Sequence, residues 1–166
     1  MDSQNIHAQL RIVGGQLVEA RRAALASQAS APHHLEPVAS LGDALYVNDS
    51  RSTFLDATLA SIAELDRPVV WIAGAWNEDM DAPHVRQLLE NRVQATVLFG
   101  PQPDHVLALV PERLLHADDL RTAVFLAREL ARAGDVVLFS PACPSGNGFA
   151  NYEERGAEFK RAVRDL

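Results

Sequence analysis

The chain has 166 residues, 48% of them hydrophobic and 22% charged, with a formal net charge of -7. That length allows one domain with a real core but is short for a multi-substrate enzyme, and the composition is that of a folded globular chain. The acidic balance disfavours nucleic acid, whose affinity comes largely from lysine and arginine displacing counterions, and no apolar run approaches the ~20 residues of a membrane span.

Residues 5–28 are rich in alanine and leucine, with Ile6, Leu10, Val13, Leu17 and Leu25 at helical spacing. The pair Gly14-Gly15 weakens that pattern, so two short helices or one kinked helix are expected. Pro32 ends it, and residues 35–38 and 44–47 read as strands flanking a turn over 40–43. A helix over about 54–65, an all-apolar strand over 69–73, a helix near 83–91 and a strand over 95–99 follow. Then come a short helix at 104–109, a weak strand at 114–115, a long helix over 118–133, a strand over 136–139 and a final helix from Tyr152. Repeated strand-helix units with fully apolar strands predict an α/β fold, a Rossmann-like, mostly parallel sheet with helices on both faces. The expected organisation is a helical appendage over residues 1–30 and one α/β domain over residues 31–166.

Such sheets bind ligands at the carboxyl ends of their strands, which directs attention to residues 48–53, 74–81, 100–105 and 140–149. Ser140, Ser145 and the amides around Gly146 lie between a buried strand and a helix start, where N–H groups and the helix dipole favour a carboxylate. A glycine- and proline-rich loop with a helix cap reads equally well from local sequence alone. Asp49 and Ser50 suit either a nucleotide ribose or phosphate or the cap of the helix near Phe54, and Arg51 suits an acidic substrate. Cys143, the sole cysteine, has no candidate base beside it in sequence and reads as a buried small apolar residue. His33, His34, His84, His105 and His116 show no close ligand spacing, so no metal site is expected. The acidic run Glu78, Asp79, Asp81 suits a bound cation or amine but reads better as a solvated loop and helix start.

Two of these segments carry a resemblance. Asn48-Asp49-Ser50-Arg51-Ser52-Thr53 resembles the Asn-Asp-Ser-Lys-Ala-Thr motif of the Mur ligase family, and Ser140-Pro141-Ala142-Cys143-Pro144-Ser145 resembles the Ser-Pro-Ala-Cys-Ala-Ser loop of its D-glutamate-adding branch. The second match continues through Phe149, Asn151, Tyr152, Glu153, Arg155, Gly156 and Phe159, and Pro32-His33 and Ala57-Thr58 add to the first. The resemblance covers roughly residues 31 to 166 and implies the family's C-terminal, peptide-binding domain type, in the cytoplasm, in peptidoglycan precursor synthesis. It implies substrate contacts at Arg51, Thr53, Ser140, Ser145, Gly146 and Tyr152, and nucleotide contacts at His33, Asn48 and Asp49.

The departures matter as much. The family reaction needs a phosphate-cradling loop with its lysine and a magnesium site, yet G-x-x-x-x-G-K-[ST] occurs nowhere, and the only lysine is Lys160 on the terminal helix. No cofactor is expected to bind this chain alone, although ATP and magnesium serve the related full-length enzymes, and no catalytic residue is assigned. Where the family places a lysine that pairs with the incoming glutamate, this chain has Glu78, which reverses the sign of a close charge contact. Arg51 stands for the motif lysine, His34 for an arginine and Phe54 for an asparagine. Two functions follow as expectations. One is a ligase C-terminal domain working with an ATP-binding central domain on an amino acid or UDP-sugar peptide. The other is a stand-alone, non-catalytic module whose face around Phe54, Trp76 and the N-terminal helix meets a homodimer or other protein partner.

Overall fold

A computed structural model describes residues 31–75, 82–101, 113–146 and 148–166. The expected helices over 5–28 and 104–109 lie outside the described residues, as do Trp76, Glu78, Asp79, Asp81 and His105. In chain order the elements are β1 (Glu36–Leu41), β2 (Ala44–Asn48), α1 (Leu55–Glu64), β3 (Val69–Ala73), α2 (Ala82–Arg92), β4 (Val93–Phe99), β5 (Leu114–Ala117), α3 (Leu120–Leu130), β6 (Val136–Phe139) and α4 (Tyr152–Arg164).

The six strands order as β1-β2-β6-β3-β4-β5, with β1 antiparallel and all other pairings parallel. Alternate strand residues serve opposite cores. Tyr46, Val70, Ile72, Val97, Val137 and Phe139 pack under α3 and α4, while Val47, Val69, Trp71, Leu98, Val136 and Leu138 pack under α1 and α2. Phe159 of α4 stacks on Phe139 with ring centroids 5.0 Å apart, which fixes α4 over the central strand β6. The expected α/β class and two-faced helix cover are what the chain forms.

Element boundaries moved where local chemistry overrides periodicity. The turn expected over 40–43 shrinks to Gly42 and Asp43, both at positive φ (54° and 63°), a pair that matches the twist of the flanking strands and lets β1 run to Leu41. The strand expected to begin at Leu35 begins at Glu36, because Leu35 is itself left-handed (φ 43°). α3 starts later than expected because the side chain of Asp119 accepts from the N–H of Thr122 and caps it. The expected cap of α1 by Asp49 or Ser50 is replaced: its N-cap is Phe54, with no side-chain cap bond.

Sequential strands β3, β4 and β5 step toward one edge, and the chain then returns through α3 to place β6 between β2 and β3. The chain leaving β2 and β3 turns to the α1/α2 face, and the chain leaving β6 turns to the α3/α4 face. Connections that diverge from adjacent strands open a crevice at their carboxyl ends.

Among the described residues one buried side-chain polar atom is stranded. Thr96 of β4 is fully buried, and its hydroxyl has no hydrogen-bond partner among them. Replacing it with the isosteric Val removes an unmatched desolvation cost. Thr96→Val is expected to raise stability by about 1 kcal/mol, read as a higher denaturant midpoint at unchanged slope; a lower midpoint would mean the hydroxyl is matched after all.

Candidate functional site

The crevice is built on the ends of β2, β6 and β3. Asn48 lies beside Phe139 in register, the N–H of Asp49 donates to Phe139 O (2.8 Å), and the N–H of Ser140 donates to Ile72 O (3.2 Å). The two signature segments are thereby adjacent. Gly74 continues the third strand, its N–H donating to Pro141 O at 2.8 Å. A Cβ there would stand 2.5 Å from Cys143 Sγ, so only glycine lets the loops close this tightly.

Asp49 is fully buried and accepts four hydrogen bonds. Oδ1 takes Leu35 N–H (3.2 Å) and His34 Nδ1 (3.1 Å), and Oδ2 takes Ser52 Oγ and Ser140 Oγ (both 2.7 Å). A carboxylate only accepts, so His34 carries its proton on Nδ1 and turns Nε2 outward. Ser140 spends its one proton on Asp49 and therefore accepts from Thr58 Oγ1 at 2.8 Å. Its carbonyl accepts the indole N–H of the buried Trp71 (2.7 Å). Asn48 is equally enclosed, donating to Glu36 Oε2 (2.8 Å) and accepting from the N–H of Ser50 (3.2 Å).

A second buried charge ties the signatures together. The guanidinium of Arg155, on the first turn of α4, donates to Ser50 O (2.9 Å) and to Cys143 O (2.9 Å), so one side chain spans both loops. Burial pulls its pKa down, and Arg155 has no carboxylate ion pair among the described residues. Burial pushes the Cys143 thiol up, the neighbouring guanidinium offsetting part of that, which fits a packed thiol rather than a nucleophile. The next residue, Gly156, lets α4 pass so close that a Cβ would lie 2.4 Å from both His33 Nδ1 and Ser50 Oγ. His33 contacts Ser50 Oγ at 3.0 Å and meets the Tyr152 ring edge-on at 5.7 Å. Behind it, Glu36 accepts from His33 N–H and Asn48 and pairs with Lys160 at 3.1 Å.

The expected site residues thus fall into two groups. Asn48, Asp49 and Ser140 are enclosed, and His33 and Tyr152 are partly buried against each other. Arg51 and Gly146 are exposed, and Thr53 and Ser145 are half-buried. The side chains of Arg51, Thr53 and Ser145 make no hydrogen bond among the described residues. His34 (48% exposed), Arg51 and Ser52 rim a shallow depression beside α1. Among the described residues no group of three histidine, cysteine or acidic side chains is placed to hold a metal. Sequence reasoning passed over Arg155, Gly156, Ser52, Thr58 and Glu36 as site members. Arg155, Gly156, Ser52 and Thr58 lie within the motifs that carry the resemblance, which was the signal available for them, whereas nothing local marked Glu36.

No protein-family model matches the chain. It is 38% identical over 148 residues to the UDP-N-acetylmuramoylalanine--D-glutamate ligase of Salinibacter ruber, covering 87% of this chain and 32% of that protein. It is 37% identical over 138 residues to the enzyme of that name from Pelotomaculum thermopropionicum, covering 81% and 30%. The chain therefore spans about a third of the length of the curated relatives it matches. Among solved structures, a murein peptide ligase from Psychrobacter arcticus superposes with a TM-score of 0.53 at 11% identity (81% of this chain, 30% of that one). The MurF ligase of Thermotoga maritima, in complex with ADP, gives 0.50 at 16% identity (81% and 32%). These likenesses carry the fold.

Two outcomes follow from the geometry. Gly156→Ala is expected to cost about 1–3 kcal/mol in denaturant unfolding, because Ser50 and His33 must give way to the methyl; an unperturbed midpoint would contradict the close approach. At Glu36 burial raises the carboxyl pKa, but the His33 N–H, Asn48 and Lys160 outweigh it and leave it lowered. A lowered folded-state pKa contributes stability that is present above the unfolded value and lost as pH falls through the folded one. Glu36→Gln is therefore expected to lower stability at neutral pH and flatten its decline below about pH 4, measured as unfolding free energy against pH.

Proposed function

We propose that this chain, a relative of the Mur ligases with the fold of their C-terminal domain, presents an acidic amino acid for ligation and works only with an ATP-binding domain supplied from elsewhere. The observation that carries this reading is the junction of the two signature loops at adjacent strand ends, with Arg51 beside it an exposed cation that has no ion pair among the described residues. The enclosed residues Asn48, Asp49 and Ser140 shape the crevice, while Arg51, Thr53, Ser145 and the backbone at Gly146 have hydrogen-bonding capacity left for a ligand. By the family resemblance Tyr152 would join the substrate contacts, and His33, Asn48 and Asp49 would face a nucleotide. Work in the cytoplasm on a peptidoglycan precursor follows from the same reading. No helix among the described residues is long and apolar enough to cross a membrane.

The residues present fit ATP and magnesium poorly. Lys160 is engaged with Glu36, both oxygens of Asp49 are filled, and the sequence lacks a P-loop. When bound in a complete ligase, ATP supplies the phosphoryl group that activates a carboxylate. This chain's part is to hold and orient the attacking amino acid through Arg51 and the loop following β6.

One observation favours the second reading, a non-catalytic interaction module: Phe54, the N-cap of α1, is 56% exposed. A large apolar side chain left in water suits a protein contact.

The two readings separate by complementation. The chain is combined with a separately produced ATP-binding domain of a D-glutamate-adding relative, and phosphate release is followed with UDP-N-acetylmuramoyl-L-alanine and D-glutamate. The expected result is turnover in the mixture and none in the chain alone, with Arg51→Ala lowering it roughly 10-fold or more, the scale of a charged hydrogen bond. Failure of the mixture to turn over, with no binding of D-glutamate by calorimetry, would move the assignment to the interaction module. Amide formation by the unaided chain would overturn both.

A further inference from the structure

His34 joins a buried carboxylate to solvent. Its Nδ1 donates to Asp49 Oδ1 at 3.1 Å, and its side chain is 48% exposed whereas that of Asp49 is fully enclosed. The carboxylate fixes the tautomer, so the free lone pair of the ring is on the outward Nε2. An imidazole oriented in this way is arranged as a general base. A proton taken up at Nε2 leaves the bond from Nδ1 to Asp49 in place, and the imidazolium that forms meets a carboxylate already beside it. Asp49 keeps its other hydrogen bonds, from the Leu35 amide, Ser52 and Ser140, so the buried network is already organised for the charge.

Room for a substrate lies against the ring. A shallow depression of about 360 Å³ is lined by His34, Arg51 and Ser52 from the loops and by the face of α1 that runs from Ala57 through Ala60 and Ser61 to Glu64. The Arg51 amide donates to His33 O at 3.0 Å, which keeps Arg51 alongside His34. The ionisable groups around the ring are Asp49 behind it and Arg51 and Glu64 along the depression, while the neighbouring His33 is engaged with Ser50 and Tyr152. Arg51 suits the carboxylate of an amino acid, and the negative charges of Asp49 and Glu64 suit its ammonium.

We propose, resting on the reading that this chain presents an amino acid for ligation, that His34 is a catalytic base of that reaction: with the amino acid's carboxylate on Arg51, its ammonium gives a proton to His34 Nε2. The ammonium N–H bond breaks and its electron pair stays on nitrogen, which becomes the nucleophile. The proton forms a new N–H bond on the imidazole, and Asp49 balances the charge.

The first test uses the full chain alone. Nitrogen-15 shifts of the neutral imidazole are expected to show His34 protonated at Nδ1 and unprotonated at Nε2; the opposite tautomer would overturn the proposal. The second uses the mixture with the ATP-binding domain of a D-glutamate-adding relative. His34→Gln keeps a donor toward Asp49 but offers no base, and is expected to lower kcat with D-glutamate about 100-fold or more near neutral pH. Its kcat should recover about 10-fold per pH unit as the medium becomes basic enough to take the proton instead. Calorimetric affinity for D-glutamate should change less than about 3-fold, which also shows the variant folded. Hydroxylamine, a free base at neutral pH, needs no proton acceptor, and with it His34→Gln should match the unaltered chain. Undiminished kcat with D-glutamate, or an equal loss with hydroxylamine, would overturn the base assignment and leave the ligase reading standing. No turnover in the mixture with the unaltered chain would overturn both.

Discussion

Asp49 sits where the chain leaves β2, ionisable and fully enclosed, so its place in the fold depends on replacing the water it has lost. Four donors do so, from three separate stretches of chain: the Leu35 amide and His34 before β1, Ser52 in the following loop, and Ser140 at the end of β6. None of these stretches can relax without exposing the carboxylate to an unmatched interior, which makes the crevice geometry cooperative. A carboxylate with both oxygens filled is also a poor hydrogen-bond partner for a ligand. Its contribution lies in where it puts the exposed groups.

Arg155 is the counterpart of that arrangement without being its ion-pair partner. Asp49 collects donors, whereas Arg155 collects backbone carbonyls of Ser50 and Cys143, and so fixes the separation of the two loops. Non-glycine residues held in the left-handed region, His33, Leu35 and Ala142, cluster on these same loops. Such conformations persist only where surrounding contacts over-determine them. Here the determining contacts are identifiable: the Arg51 amide on His33 O, the Leu35 amide on Asp49, and the Ala142 amide on Ser52 O. Strain and hydrogen bonding together keep the loops open toward solvent in one shape.

Much of this was legible in the sequence. The all-apolar strands 69–73 and 136–139 announced a sheet buried on both faces, and the segments after β2 and β6 were singled out because strands of such sheets end at their sites; the structure brings these two segments together. What periodicity does not encode is which polar residue faces inward. Asp49 and Ser50 match the local pattern of a helix cap, yet the carboxylate is claimed by Ser140, 91 residues away, and α1 begins at Phe54 without a side-chain cap. Glu36 and Lys160 are 124 residues apart and give no local sign of pairing. Long-range hydrogen bonds of this kind are set by strand order, and strand order is where local sequence is least informative.

The division between enclosed and exposed groups also limits what chemistry the crevice can perform. Its acceptors are nearly used up: Asp49 is filled, the Asn48 carbonyl is taken by Ser50, and the carbonyls of Ser50, Cys143 and Ser140 are occupied by Arg155 and Trp71. Among the described residues, what remains toward solvent is the Arg51 cation, the hydroxyls of Thr53 and Ser145, and the outward nitrogen of His34. The one charged group of that inventory is a cation, so it complements anionic groups, while the neutral Nε2 of His34 is its one basic nitrogen. Under the proposed function a surface of this composition orients an acidic ligand, and the phosphoryl chemistry is left to an ATP-binding domain.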